Sequence, residues 1–355
     1  MNILIVKLSA IGDVIHTLPA LNAIRANYPH ARITWLVEAA AADLVVGHRA
    51  LDRVLVSKRK SWIKRLGGSD RWHALKEMRA FVDLLRDTRY DIVLDFHGLL
   101  KSGLMVGLAR AKRKIGFGRG MQHQELSYLF LNERVPPVDM EIHALTRGLM
   151  LIEAIGIRTE AVVYDIPVSQ GDSVAVDRLL SDAGLGGARR LVAINPMALW
   201  ETKLWRTDRF AALADRLIHD HALDVVFTGG AEDRPAVEAI RAAMTAPAIN
   251  LAGRTRLKML AALYHRSLLL VSTDTGPMHL AAAVGTPVVA LFGPTAPWRT
   301  GPFGEGHRIV RAAPPCSPCF WRSCDAHRCC CMANISVDRV AEAVKQTLAA
   351  RRVSG

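Results

Sequence analysis

No run of apolar residues in this 355-residue chain approaches the roughly 20 that a membrane-spanning helix needs, although 50% of the residues are hydrophobic. The opening Met1-Asn2-Ile3-Leu4-Ile5-Val6-Lys7 is apolar but short, with neither a basic leader nor a small-residue cleavage site. It reads as a first β-strand rather than a secretory signal, and a cytoplasmic location is expected. Cysteine is missing from everything before Cys316; all six cysteines lie between Cys316 and Cys331. That excludes a disulfide framework spread through the chain and leaves a metal site, a redox site or a local knot of thiols. The first strand-to-helix turn carries no G-x-G-x-x-G, so a nicotinamide cofactor gains no support. RNP-like aromatics, a helix-turn-helix signature and zinc-finger spacing are all lacking. A basic nucleic-acid-binding protein is therefore a different-class alternative that rests on charge alone, and no nucleic acid is expected as a partner. Repeats of solenoid period and low-complexity tracts are absent too.

What the chain does contain is positive charge: 46 Lys and Arg against 33 Asp and Glu, a net +13. Such an excess suits an anionic partner, whether nucleic acid, an acidic membrane surface or a phosphorylated substrate. The length accommodates two domains. Short β-branched runs alternate with amphipathic stretches, which predicts α/β architecture with parallel sheets covered on both faces. In the first half, strands are expected at 3–7, 33–37, 54–56, 92–95 and 114–116, with helices at 14–27, 74–86, 99–109 and 144–155. After Asp165-Ile166-Pro167 comes a helix-like stretch, and the glycine-rich Gly184-Leu185-Gly186-Gly187 that ends it looks like a boundary. Beyond it, strands are expected at 191–194, 224–227, 268–272 and 288–292, with helices at 208–219, 234–244, 257–264, 278–284 and 337–351. The reading is two Rossmann-like domains facing a central cleft: 1–166, a linker region 167–188, 189–335, and a closing helix 336–355 that packs back toward the first domain. Ligands of open parallel sheets sit at the carboxyl ends of the strands.

Four strand ends carry candidate chemistry. After the first strand, Asp13 follows the flexible Gly12 at a helix start; it is either an N-cap or a working carboxylate. Ser272-Thr273-Asp274-Thr275-Gly276-Pro277-Met278-His279 lies at another strand-to-helix junction, where Gly276 permits close backbone approach and free N–H groups favour a diphosphate. Asp274 is alternatively a cap and His279 a core histidine. Lys203 follows Asn195-Pro196 and is either a point charge for phosphate or a solvated surface lysine. Glu232, in Thr228-Gly229-Gly230-Ala231-Glu232, takes sugar hydroxyls or caps the next helix.

These segments resemble a known family. Lys7-x-Ser9-x-x-Gly12-Asp13-x-x-His16-Thr17-Leu18-Pro19, Gly98-Leu99-Leu100-Lys101-Ser102, Thr228 to Glu232, Asp274-Thr275-Gly276-x-x-His279-Leu280-x-Ala282-Ala283 and Leu291-Phe292-Gly293-Pro294-Thr295 are similar, in order across nearly the whole chain, to the motifs of the heptosyltransferases, glycosyltransferase family nine. The resemblance implies a GT-B fold, an acceptor-binding first domain and a nucleotide-sugar-binding second domain. It implies ADP-L-glycero-D-manno-heptose as donor, and Kdo-lipid A or inner-core lipopolysaccharide already bearing heptose as acceptor. It also implies inversion at the anomeric carbon without a metal or other cofactor. Asp13 matches the family's general base, and Lys203 its phosphate-binding lysine. Asp274, Thr275, Gly276 and His279 match the donor-binding turn, and Glu232 the acid that meets the nucleoside. A same-fold transferase with another nucleotide sugar is an alternative.

Two features bear on the acceptor. The run Ser57-Lys58-Arg59-Lys60-Ser61-Trp62-x-Lys64-Arg65 is expected on a loop after the third strand. It resembles the basic loop of the first-heptose enzymes, which faces the phosphorylated acceptor. With it, Ser9, Gly12, Lys58, Arg59, Lys60, Lys64, Lys101 and Arg119 are the expected acceptor contacts, and the same charge suits an anionic inner-leaflet surface. The tail Cys316-Ser317-Pro318-Cys319 with Cys324 and Cys329 resembles second-heptose enzymes instead. The spacing is not that of a standard zinc ribbon, so packed reduced thiols are expected rather than a metal bound by Cys316, Cys319, Cys324 and Cys329.

Overall fold

A computed structural model of the chain describes residues 1–121, 125–159, 161–186, 190–324 and 330–354; Cys329 lies outside the described residues. The chain divides into two compact units, Met1–Pro167 and Val168–Gly355.

The first unit holds a six-stranded parallel sheet of β1 (Asn2–Val6), β2 (Arg32–Glu38), β3 (Arg53–Ser57), β4 (Tyr90–Asp95), β5 (Ala111–Phe117) and β6 (Glu133–Val135), in the order β3-β2-β1-β4-β5-β6. The central strand explains the parallel arrangement. Ile3, Leu4, Ile5 and Val6 are all fully buried, and Ile5 pairs with Trp35 on one side and Leu94 on the other. A strand apolar on both faces needs helices on both faces. These are α1 (Ile11–Asn27), α2 (Arg59–Leu66), α3 (Arg71–Arg86), α4 (Leu100–Leu108) and α5 (Ala144–Glu153).

The second unit repeats the plan with β7 (Leu191–Asn195), β8 (Asp224–Phe227), β9 (Ile249–Asn250), β10 (Leu269–Thr273), β11 (Val288–Leu291) and β12 (Arg308–Val310), ordered β12-β11-β10-β7-β8-β9. Its helices are α6 (Gln170–Asp182), α7 (Thr207–His221), α8 (Arg234–Ala242), α9 (Leu257–Arg266), α10 (Gly276–Ala283), the single turns α11 (Pro297–Thr300) and α12 (Cys330–Ala333), and α13 (Val337–Ser354). Counted within each unit, both sheets have the strand order 3-2-1-4-5-6 of a dinucleotide-binding Rossmann sheet. The switch points fall between β1 and β4 and between β7 and β10, where helices leave the sheet on opposite faces and a crevice opens at the strand ends.

Two expectations need correction, the loop after β3 and the number of strands. The basic run after β3 is not a loop: it forms α2, because Trp62 turns inward, packs against Phe81 at 5.3 Å between ring centroids and donates its indole N–H to Glu77 at 2.8 Å. A buried indole contributes about 3 kcal/mol, enough to hold one short helix that charge alone would leave open. The helix-like stretch expected within 167–188 is α6, which begins at a capping box between Ser169 and Asp172 and packs on α9. The closing helix α13 packs on α7 and on strands β10, β11 and β12, within its own unit. Finally, β6, β9 and β12 complete the sheets where no strand was foreseen. Among the described residues, no helix is long and apolar enough to cross a membrane.

Candidate functional site

In the first unit, a cavity of about 280 Å³ opens at the switch point between β1 and β4. Lys7 enters it from the end of β1, Asp13, His16 and Thr17 from α1, Asp95 and His97 from the end of β4, and Arg147 from α5. Asp13 stands in the first turn of α1, three residues after the N-cap position, which Ala10 occupies. Asp13 is therefore not the cap itself. Its Oδ2 accepts the Ala10 N–H at 3.1 Å, which fixes the carboxylate at the cavity edge.

The loop from β4 into α4 is tied down by a buried carboxylate. Asp95 accepts from the backbone N–H of His97 at 2.9 Å, the N–H of Gly98 at 3.2 Å and the Ser102 hydroxyl at 3.0 Å. Burial pushes the Asp95 carboxyl up against the pull of these donors. Gly98 takes φ of +71°, a left-handed turn that a side chain would strain. The turn aims His97 into the cavity, where both ring nitrogens are buried without a hydrogen-bond partner. Burial, then the nearby Lys7 and Lys101 charges, lower the His97 imidazole to about 3, against the opposing pull of Asp13. His97 is thus a neutral imidazole with an open donor and an open acceptor beside a carboxylate. The reading of the sequence missed it, although it directly precedes the Gly98 to Ser102 motif.

Around this cavity the expected residues separate. The Lys101 ammonium donates to the Ser9 hydroxyl at 2.8 Å and lies 3.9 Å from buried Glu38, which also holds Arg59 at 3.1 Å. Burial lowers the Lys101 ammonium, against the opposing attraction of Glu38. Lys7 donates to the Phe96 carbonyl at 2.9 Å. Gly12 is buried in the α1 turn. Lys58, Lys60, Lys64 and Arg119 are exposed and do not line the cavity.

In the second unit, an ion pair spans the other switch point. The Lys203 ammonium, on the loop after β7, meets Asp274 Oδ2 at 2.7 Å and the Asp274 carbonyl at 3.2 Å. Asp274 is only 5% exposed and also accepts the Thr295 hydroxyl at 2.6 Å. The Lys203 Nζ lies 4.5 Å from the centre of the Trp200 ring, and the Arg322 guanidinium lies 5.2 Å from the same ring. Thr275 is the N-cap residue of α10, with Gly276 and Pro277 opening the helix, so Asp274 precedes the cap rather than forming it. His279 is buried on α10. This places a lysine, an indole and the N-terminus of α10 at one strand end, a combination suited to a diphosphate. Glu232 is exposed on the loop after β8, and its neighbour Asp233 takes the N-cap position of α8.

The cysteine segment builds a packed surface. Cys331 and Met332 are buried against Gly293, where a Cβ would fall 2.7 Å from Met332 Sδ. Cys316, Cys319, Cys324, Cys330 and Cys331 are not joined in disulfides. Among the described residues, no three His, Cys, Asp or Glu side chains are grouped to hold a metal ion.

Over residues 78–329 the chain matches the family described as glycosyltransferase family 9 (heptosyltransferase). It is 33% identical over 330 residues to lipopolysaccharide heptosyltransferase 1 of Pseudomonas aeruginosa, covering 91% of this chain and 87% of that protein. The glycosyl transferase family 9 structure from Veillonella parvula superposes with a TM-score of 0.79 at 23% identity, covering 98% of this chain and 97% of that one. The E. coli heptosyltransferase WaaC, solved with ADP, gives 0.77 at 24% identity, covering 98% and 100%. At these identities the structural likeness carries the fold, the expected GT-B class.

Proposed function

Because the chain belongs to glycosyltransferase family 9, the heptosyltransferases, we propose that it moves L-glycero-D-manno-heptose from ADP-heptose to the Kdo of Kdo-lipid A, with inversion at the anomeric carbon. The observation that carries this reading is the first unit's cavity, where the Asp13 carboxylate and the neutral His97 face the same space. In this reading the acceptor sits in the first unit and the nucleotide sugar in the second. Asp13 takes the proton of the attacking hydroxyl as its oxygen bonds to the heptose anomeric carbon. The bond from that carbon to the β-phosphate oxygen breaks, and ADP leaves. Lys203 and the α10 N-terminus, with Asp274, Thr275, Gly276 and His279 shaping the turn, take up the charge on the diphosphate. Glu232 meets the nucleoside. No resident metal, other cofactor or nucleic acid is part of the reading. The acceptor side is assigned to Ser9, Gly12, Arg59 and Lys101 beside the cavity, and to Lys58, Lys60, Lys64 and Arg119 farther out, where acceptor phosphates would reach them. The first-heptose assignment draws its support from the likeness to lipopolysaccharide heptosyltransferase 1 of P. aeruginosa. The protein would work in the cytoplasm, at the inner face of the inner membrane where its lipid acceptor lies.

A screen of ADP-heptose against UDP- and GDP-sugars tests the donor assignment. ADP-heptose is expected to be consumed at least tenfold faster than the others with the same acceptor. Preference for a UDP- or GDP-sugar would make this a same-fold transferase of different donor.

The open imidazole of His97 gives a second expectation. His97→Ala should raise the acceptor KM about tenfold, the loss of roughly one good hydrogen bond, with kcat changing much less. With its imidazole lowered to about 3, His97 is already neutral at pH 5 and above. The wild-type profile of kcat/KM should therefore show no histidine inflection near pH 6.5 that disappears in His97→Gln. Such an inflection would mean that His97 titrates in the working range.

A further inference from the structure

Helices α2 and α3 pack on each other in the first unit, and α2 starts where Arg59 is held by Glu38, which also lies 3.9 Å from Lys101. The inward side of this helical hairpin is ordinary core: Trp62, Ala74, Phe81 and Leu85 are buried. Its outward side is not ordinary surface. Trp72 is 70% exposed, Ile63 54% and Leu75 43%. On α3, Trp72, Leu75, Lys76 and Arg79 fall on one helical face, opposite the buried Ala74, Phe81 and Leu85. On α2, Lys60, Ile63 and Lys64 point away from Trp62.

The charge of this hairpin is one-sided. Residues 58–86 contain nine Lys and Arg (58, 59, 60, 64, 65, 71, 76, 79, 86) against three acids (70, 77, 83). Two of those acids, Asp70 and Glu77, are both engaged by Arg65 at the inner edge of the hairpin. The outward face thus combines an exposed indole, two aliphatic side chains and unneutralised lysines and arginines. The Arg71 guanidinium lies 5.5 Å from the Trp72 ring centre, which leaves the indole edge free to enter an apolar layer under a cationic collar.

We propose that the outward face of α2 and α3 is a membrane-docking surface that inserts Trp72, Leu75 and Ile63 at the headgroup level of an anionic phospholipid bilayer. Tryptophan and leucine with lysine and arginine around them are the composition of interfacial helices. Basic side chains next to the inserted ones draw the surface to anionic lipid within a Debye length. The proposal rests on the lipid-linked acceptor of the reading above. It supplies what that reading lacks, a way of holding the protein close to an acceptor that cannot leave the bilayer.

The test uses the full chain and extruded vesicles, either of phosphatidylcholine alone or with one-third phosphatidylglycerol. Wild type is expected to sediment with the anionic vesicles and at least tenfold more weakly with the neutral ones. Both Trp72→Ala/Leu75→Ser and Lys76→Glu/Arg79→Glu should weaken anionic-vesicle binding at least tenfold, with unchanged thermal midpoints because all four side chains are exposed. Transfer to a deacylated, water-soluble acceptor should be the same in wild type and variants. Failure of wild type to bind anionic vesicles, or equal binding by wild type and both variants, would overturn the proposal. Failure of transfer to the soluble acceptor by every form would count against the reaction assigned above and leave the docking result standing, so the two failures are distinguishable.

Discussion

Asp13→Ala is expected to reduce turnover by about 10²–10⁴-fold, the range for loss of a positioned general base, while ADP binding by calorimetry stays within about twofold of wild type. The separation follows from where Asp13 sits. It belongs to the first unit, at the cavity edge, whereas the ion pair and helix N-terminus suited to the diphosphate belong to the second. Asp13 also accepts the Ala10 N–H, so truncation removes one contact at the start of α1. Asp13→Asn separates the two roles. Its side-chain carbonyl still accepts from Ala10, so folding should stay near wild type, yet an amide cannot take a proton at neutral pH. Turnover should therefore be lost in both variants, and thermal midpoint only in the alanine form, by roughly the 1 kcal/mol such a contact is worth. A loss of turnover smaller than tenfold in Asp13→Asn would remove Asp13 from the role of base.

Lys203→Ala should lower kcat/KM for the donor by about 10²–10³-fold, the usual effect of removing one preorganised charge from a phosphate site. It should also lower stability, because it strands Asp274, a carboxylate at 5% exposure, with the Thr295 hydroxyl as its remaining described side-chain partner. Breaking one half of such a pair is costly because the other charge stays buried. The double variant Lys203→Ala/Asp274→Asn should regain most of the lost midpoint without regaining donor turnover. That pattern distinguishes a phosphate-binding lysine from a structural one, since a purely structural Lys203 would recover activity together with stability. Initial rates across donor concentration, with thermal unfolding of all three forms, decide it.

Much of this site was legible before the structure because it lies at strand ends. The strands β1, β7 and β10 are built on apolar runs at 3–6, 191–194 and 269–271, so their ends stand out, and a glycine with an acid lies in the turns after β1 and β10, at Gly12-Asp13 and Asp274 to Gly276. Three strands were invisible for a physical reason: β6, β9 and β12 have three, two and three residues, too few to show any period, and they form only because an existing sheet edge accepts them. Helix α2 was hidden by its own charge; one inward tryptophan, not a repeating apolar stripe, holds it. His97 was missed because its meaning depends on sheet order. Only when β4 is seen beside β1 does the residue after β4 share a cavity with Asp13. The exposed Lys58, Lys60, Lys64 and Arg119 show the converse. A charge run locates an electropositive face, but not which of its members reach a pocket.

The central claim is that this cavity-bearing fold carries heptose from ADP-heptose to Kdo. The most direct measurement is the mass of the product formed when the purified protein is given ADP-heptose with either Kdo-lipid A or its mono-heptosylated form. The account predicts the addition of one heptose to Kdo-lipid A and none to the mono-heptosylated acceptor. Addition only to the mono-heptosylated form, or to neither, would contradict it.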